Sequence, residues 1–535
     1  MTTKSNAPRG QTRPLGAQIS HMLKSRGVDT IFGIPGVHNQ EMYRGIEEAG
    51  IRHVLARHEQ GAGFMADGYA RATGRPGVAY VITGPGLCNI MTPLGQAYSD
   101  SVPVLAISSC LDETAAKRGQ LHQMLDQEKA GATVCDWSCT ANSAQAAYRL
   151  VDRALTEFQT HRPRSKHIQV PIAQLEGTAE PAPATPPVAR VAAQAGPDHV
   201  ISTIKSAKRP LFVLGGGACG DTRAVRDVVA KLGAASFVTY AGRGLIDVSA
   251  DPLHFGAYLA RPDSAKTAAS ADCVIAVGTE LADVDLWRDE LGHTCDFIRV
   301  DIDPKVLAQS PQDTMLQMDA AAFFHWVLAH LEDHSASTGW TADEVAKSRA
   351  LWRAEADAER PGIVPVCDAL RAVMPADTMY YSDMTQFAYT GKEVWDMDRP
   401  GHWHHPSGFG TLGYGLPAAI GGAVARPGLP TVAIAGDYGF QYTVQELGAA
   451  VELGLPLPIL LWDNGKLKEI EDSMVRAQIA PNAVIAHNPD FCALARAYGA
   501  YAVAPETFAE LQEEALKALK ADKPTLIYMT ADLSP

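Results

Sequence analysis

Two short polar turns carry the residue types best suited to chemistry. Gly436-Asp-Tyr-Gly-Phe440 follows the apolar run Pro430-Thr-Val-Ala-Ile-Ala435, and Trp462-Asp-Asn-Gly-Lys466 follows Leu455-Pro-Leu-Pro-Ile-Leu-Leu461. Each run has the length and composition of a buried parallel strand. Residues 443–453 lie between them with helical spacing, Val444, Leu447, Ala450 and Val451 falling on one side. The pattern predicts strand, acidic turn, helix, strand, polar turn. Asp437 and Asn464 then stand at the carboxyl ends of two strands, where an open α/β sheet presents ligand-binding groups. Hard oxygen donors beside a glycine turn suit Mg²⁺, which keeps part of its shell for phosphate oxygens. A Gly-Asp turn is also an ordinary βα connection, so the rest of the chain has to decide.

The elements upstream repeat the same alternation. Residues 15–26 form an amphipathic helix with Ile19, Met22 and Leu23 together. Strands are predicted over 28–33, 51–56, 80–82 and 103–108, each leading into a polar or glycine-rich turn. Those turns hold His38, Glu59 and the Thr83-Gly-Pro-Gly86 phrase. Repeated strand–helix alternation means a mostly parallel sheet. After a Pro/Ala-rich stretch at 179–196, which has linker composition, Pro210-Leu-Phe-Val-Leu-Gly-Gly-Gly217 opens a second α/β domain. Its strands continue at 271–278 and 296–304, and a charged helix at 346–359 leads into a third domain.

In their order and wording these phrases resemble the thiamine-diphosphate enzymes of the acetolactate synthase and 2-oxo acid decarboxylase family. The matching upstream phrases are Phe32-Gly-Ile-Pro-Gly36, His58-Glu-Gln-Gly-Ala-Gly63, Asp67-Gly-Tyr-Ala-Arg71 and Thr83-Gly-Pro-Gly86. Downstream, Asn464 lies 27 positions after Asp437, as in the family's Gly-Asp-Gly…Asn-Asn signature, with Tyr438 and Asp463 as departures. The resemblance implies an α/β fold of three doubly wound parallel-sheet domains: pyrimidine-binding (1–178), Rossmann-like middle (197–340) and diphosphate-binding (341–535), with 179–196 as linker.

It also implies roles for single residues. Glu59 matches the glutamate that contacts the aminopyrimidine and lets the ring's own imine act as base. Gly84 and Pro85 belong to the cofactor-contacting glycine turn, and Gln123 is a cofactor-side hydrogen-bond donor. Thr385 and Gln386 start the diphosphate loop, with Tyr438 and Gly439 beside them. Gly410 contacts the aminopyrimidine through its backbone, and Leu412 wedges the cofactor into its bent form. Asp437, Asn464 and the backbone carbonyl of Lys466 are the implied Mg²⁺ ligands. His38 is either a turn histidine or a proton donor and substrate contact. His122 replaces an aromatic packing residue and stands alone in sequence, so an acid–base role is open. His402, His404 and His405 fit loop packing or a substrate edge better than zinc, since no further carboxylate or Cys pattern accompanies them.

The branch of the family is read from the stretch after Asn464, residues 466–474. It lacks the tryptophan of acetolactate synthases and carries Glu469, Glu471 and Asp472. These form either a solvated helix face or a carboxylate surface for a cationic substrate tail. With Trp403-His-His-Pro-Ser-Gly-Phe-Gly410, the pattern looks like decarboxylases of 5-guanidino-2-oxopentanoate (2-ketoarginine), which yield 4-guanidinobutanal. An acetolactate synthase is the alternative. A catalytically silent binding or regulatory subunit is the second, against which Glu59, Asp437 and Asn464 count together.

Bulk properties bound the remaining classes. The chain has 535 residues, 46% hydrophobic and 20% charged, enough for about three buried cores. A net charge of −14 argues against nucleic acid and basic membrane contact. No apolar run reaches membrane length and residues 1–12 are polar, so a cytoplasmic protein is expected. Nine Cys without Cys-x-x-Cys spacing fit a reducing compartment. The middle domain's glycine turn is not followed by the arginines that hold FAD in acetolactate synthases, so FAD is not expected. The family pattern implies a homodimer or homotetramer acting on a small 2-oxo acid, with active sites between subunits.

Overall fold

The computed structural model describes residues 11–113, 119–183, 195–309, 314–336, 338–485 and 487–534. Three sheets of six parallel strands dominate it. From edge to edge, the first runs Arg52–Leu55, Thr30–Gly33, Gly77–Val81, Val104–Cys110, Lys166–Pro171, Trp137–Thr140. The second runs His254–Gly256, Ala235–Val238, Pro210–Leu214, Cys273–Val277, Asp296–Asp301, Thr314–Gln317. The third runs Trp403–His404, Met379–Ser382, Thr431–Gly436, Pro458–Trp462, Thr525–Met529, Tyr501–Val503. Each sheet lies inside one of the three domains expected from the sequence. Central strands such as Val104–Cys110, Thr431–Gly436 and Pro458–Trp462 are buried at every position, which is why they read as unbroken apolar runs.

Numbered along the chain, the first and third sheets share one strand order, 2-1-3-4-6-5. The middle sheet has the order 3-2-1-4-5-6 of dinucleotide-binding folds. In each, the connections leave in opposite directions at one crevice. In the first sheet the crevice lies beyond Gly33 and Val81, so His38 and Gly84 follow it. In the third it lies beyond Ser382 and Ile434, so Thr385 and Asp437 follow it.

The chain forms two compact units that interleave along the sequence. One holds the described residues of 1–189 together with 409–427 and 443–455. The other holds those of 190–408, 428–442 and 456–535. Two expectations change here. Asp437 is not in a turn: it opens the helix Asp437–Tyr442, because the chain turns into helix directly from the strand. The periodic stretch after it is a 3-10 turn, Val444–Glu446, and a helix, Leu447–Glu452, and it belongs to the first unit. Of the predicted linker, 184–194 lies outside the described residues. Its start is tied down, since Ala179 pairs with Arg13 and the Glu180 carbonyl accepts from Tyr148 Oη at 2.6 Å.

Within the first unit the helix Glu59–Thr73 packs on the helix Gly415–Ala425. A Cβ at Gly68 would lie 2.0 Å from the Ala418 carbonyl oxygen, and one at Gly421 would lie 1.9 Å from that of Met65. Glycine at these crossing points allows backbone contact and fixes the helix that carries Glu59. Among the described residues, no helix is long and apolar enough to cross a membrane.

Candidate active site

The first unit places Glu59 in the first turn of its helix, where the helix dipole favours a carboxylate. His58 caps that helix, its Nδ1 accepting from Gln60 N at 3.1 Å. Glu59 is 9% exposed, and its Oε2 accepts from Asn89 Nδ2 at 2.8 Å. A second carboxylate, which the sequence reading missed, holds the backbone just before it. Glu446 is fully buried and accepts from Arg57 N at 3.1 and 3.0 Å and from His58 N at 2.9 Å. Burial pushes its carboxyl up to about 7. A Cβ at Gly61 would lie 2.2 Å from Glu446 Oε1, which explains the glycine of the His-Glu-Gln-Gly phrase.

The glycine turn is braced from below. Gly84 has φ +67°, and its N–H donates to Gln127 Oε1 at 2.8 Å. Gln127 is buried and donates onward to the Ser109 carbonyl at 2.8 Å and Ser108 Oγ at 3.1 Å. Gln127 is therefore the brace of this turn. The side-chain oxygen of Gln123 accepts from Gly119 N and Gln120 N at 3.1 and 3.2 Å within its own loop.

His122 stands alone in sequence but not in space. Its Nδ1 is 3.4 Å from His38 Nδ1, with the rings edge-on at a centroid distance of 4.9 Å. Burial and the neighbouring His122 hold the His38 imidazole below its ordinary pKa. His122 adopts φ +65°, a left-handed conformation that costs a non-glycine residue about 1–2 kcal/mol. Its carbonyl oxygen would be 2.4 Å from a Cβ at Gly84, so turn and histidine loop are in backbone contact. Gly410 (φ +65°) and half-buried Leu412 share this unit with Glu59; Thr411 Oγ1 donates to Gln96 Oε1 at 3.4 Å, and Tyr414 Oη donates to Asp67 at 2.7 Å.

The second unit gathers the other half of the predicted site. Asp437 is 4% exposed. Its Oδ2 accepts from Asn488 Nδ2 at 2.7 Å, and the same amide nitrogen donates to Asp463 Oδ1 at 3.0 Å. Burial and the adjacent Asp463 push the Asp437 carboxyl up to about 6, against the opposing bond from Asn488. Asp463 is further held by Tyr528 Oη at 2.9 Å and Gly465 N at 2.8 Å. Asn464 is oriented too: its Nδ2 donates to Gln386 Oε1 at 3.3 Å, and its Oδ1 accepts from Lys466 N at 3.3 Å. Lys466 forms an isolated antiparallel bridge with Ile485. Thr385 sits just before the helix Gln386–Val394, and a Cβ at Gly439 would lie 2.8 Å from the Asp383 carboxyl. Tyr438 is half-buried beside it.

The acidic stretch, read as either a solvated helix face or a surface for a cationic substrate tail, is charge-paired. Glu469 Oε1 accepts from Arg360 Nε at 2.8 Å and Gln386 Nε2 at 3.0 Å. Burial raises its carboxyl, but those bonds outweigh burial and leave it below its ordinary value. Glu471 binds Lys466 Nζ at 3.1 Å, and Asp472 pairs with Lys468. The helix Lys468–Arg476 has no fully buried residue, in keeping with a solvated face. Lys468 also pairs with Glu471, so helical i,i+3 and i,i+4 spacing could have revealed its pairing with both Glu471 and Asp472.

His404 and His405 are buried, and His405 Nδ1 lies 2.9 Å from Ser382 Oγ, which is loop packing. Among the described residues no group of three or more His, Cys, Asp or Glu side chains could hold a metal ion. An open Mg²⁺ site built on one carboxylate, one amide and a carbonyl requires no such group. A cleft of about 370 Å³ lined by Asp368, Arg371, Tyr380, Trp395 and Asp396 contains none of the predicted site residues.

Comparison with known proteins covers all three domains. Residues 13–130 match the thiamine pyrophosphate enzyme N-terminal TPP binding domain, 198–326 the central domain, and 383–529 the C-terminal TPP binding domain. The chain is 41% identical over 512 residues to a probable 2-ketoarginine decarboxylase, AruI, of Pseudomonas aeruginosa, covering 94% of this chain and 91% of the relative. It is 30% identical over 529 residues to the acetolactate synthase isozyme 2 large subunit of Escherichia coli, covering 97% and 95%. The isozyme 1 large subunit of that organism is 26% identical over 539 residues, covering 96% and 93%.

Proposed function

Because this chain belongs to the thiamine pyrophosphate enzyme family, matched in order by its three domains, we propose that it decarboxylates a 2-oxo acid with thiamine diphosphate and Mg²⁺. The favoured substrate is 5-guanidino-2-oxopentanoate, which takes up one proton and leaves as 4-guanidinobutanal and CO₂. The name of the 41%-identical relative supports that choice.

The residues fit both groups. A nearly buried carboxylate at a helix start, with Asn89 on one oxygen, suits a ring nitrogen that must be held protonated. Asn488 on Asp437 Oδ2 and Gln386 on Asn464 Nδ2 orient the two side chains, and Asn464 Oδ1 keeps a second lone pair beyond its 3.3 Å bond from Lys466 N, which suits oxygen donors for a hard cation. When bound, thiamine diphosphate supplies the attacking carbon and takes up the electron pair left by the departing CO₂. Glu59 holds the pyrimidine's proton. Gly84, Pro85, Gly410 and Leu412 seat the ring end; Thr385, Gln386, Tyr438 and Gly439 seat the diphosphate. Asp437, Asn464 and the Lys466 carbonyl hold Mg²⁺.

The His38–His122 contact carries the decarboxylase reading. Ending the reaction at an aldehyde requires a proton donor, and a half-buried histidine pair in ring-nitrogen contact can pass one proton between its nitrogens. His122→Ala and His38→Ala are each expected to lower kcat by roughly 10²-fold, and to remove a limb of the kcat–pH profile. An unchanged profile in both variants would reject the assignment. The 30% identity to an acetolactate synthase subunit favours carboligation as the second reading.

Three further parts complete the proposal. Glu469, Glu471 and Asp472 would have to exchange a present Arg or Lys partner to bind a guanidinium group. The middle domain is structural: at its crevice Gly215 N and Gly217 N donate to the Val277 and Gly278 carbonyls at 2.9 and 3.0 Å, so these N–H groups are spent within the protein. The enzyme is a cytoplasmic homodimer or homotetramer with shared active sites, a setting that suits nine cysteines with no disulfide.

A further inference from the structure

Asp463 stands where the family signature has a neutral amide, and this puts a second carboxylate beside Asp437. Two neighbouring carboxylates repel, and the repulsion grows with burial. The structure shows what offsets it. Asn488, on the loop before the helix Phe491–Ala497, donates from one amide nitrogen to both: 2.7 Å to Asp437 Oδ2 and 3.0 Å to Asp463 Oδ1. Its own Oδ1 accepts from Gln441 Nε2 at 3.2 Å, and Gln441 Nε2 also donates to the Asp437 carbonyl at 3.1 Å. That bond fixes the orientation of the Asn488 amide, because a flip would set oxygen against two carboxylates and nitrogen against a donor.

We infer that Asn488 is a positioning residue for the divalent-cation site. It bridges Asp463 and Asp437, occupies Oδ2 of Asp437, and so directs the remaining carboxylate oxygen to the cation. Partners of this kind, one bond behind the ligand, typically set metal affinity by roughly 10–100-fold. The inference rests on the Mg²⁺ site of the proposed function.

The test is a calorimetric Mg²⁺ titration of the full chain with saturating thiamine diphosphate, in the unsubstituted protein, N488A, D463N and the double variant. Melting of each cofactor-free protein is measured alongside. N488A is expected to weaken Mg²⁺ binding by roughly 10–100-fold, and to melt somewhat lower without cofactor, because the repulsion it offsets is present there too. In the D463N background the same change is expected to cost at least several-fold less, since one of the two charges is gone. Unchanged Mg²⁺ affinity in N488A overturns the inference. So does an equal loss in both backgrounds, which would mark a merely structural residue. If the unsubstituted protein binds no Mg²⁺, the cofactor reading itself falls; if it binds and N488A binds equally well, only the positioning role falls.

Discussion

Glu59 and Glu446 show what single residues disclose and conceal. Glu59 is legible because it sits inside a phrase with family-wide wording. Glu446 is not, because a Gln-Glu pair at a helix start usually caps or solvates. Its partners, Arg57 and His58, lie 389 and 388 positions away. Nothing local announces a bond of that span. Gln127 was missed for the same reason, four positions from Gln123. Glu446 also has a pH signature. Its folded carboxyl is raised to about 7 from an ordinary 4.5, so the folded state holds a proton that the unfolded state has lost between those values. The group's contribution to stability is full below about 4.5 and is lost as pH rises through 7, by on the order of 3 kcal/mol. Urea unfolding is expected to show the parent losing stability relative to E446Q between pH 5 and 7.5. A constant difference would contradict this.

At the scale of elements, several central strands were legible, because buried parallel strands have an apolar signature that turns interrupt, while others such as Lys166–Pro171 and Thr525–Met529 were not predicted. The predicted strand 103–108 is found as Val104–Cys110, and 271–278 as Cys273–Val277. The helix Asp437–Tyr442 was not, since Asp-Tyr-Gly reads as a turn in isolation. The close crossing of Glu59–Thr73 and Gly415–Ala425 was not legible, since nothing in chain order says which two helices will pack. Gly421→Val would drive a side chain into the Met65 carbonyl, 1.9 Å from the Cβ position. Overpacking of this kind typically costs about 1–3 kcal/mol. The variant is expected to melt several degrees lower and to bind thiamine diphosphate more weakly, because the crossing sets the Glu59 helix. Parent-like melting would show that the crossing yields.

Over the whole molecule, the parallel α/β class followed from strand–helix alternation, but strand order did not. Chain order says nothing about which strands become neighbours. Only the fold shows that the first and third sheets share the order 2-1-3-4-6-5 and open their crevices at His38 and Gly84 in one, Thr385 and Asp437 in the other. The reassignment of 409–427 and 443–455 to the first unit was equally hidden, since both lie inside a sequence-continuous domain. The most direct test of the decarboxylase reading takes the full chain with thiamine diphosphate and Mg²⁺, and supplies 5-guanidino-2-oxopentanoate or pyruvate separately. CO₂, aldehyde and acetolactate are measured. CO₂ and 4-guanidinobutanal are expected in equal amounts from the first substrate, dependent on both cofactors. Acetolactate from pyruvate as the main product, with no aldehyde from the guanidino substrate, would contradict that reading.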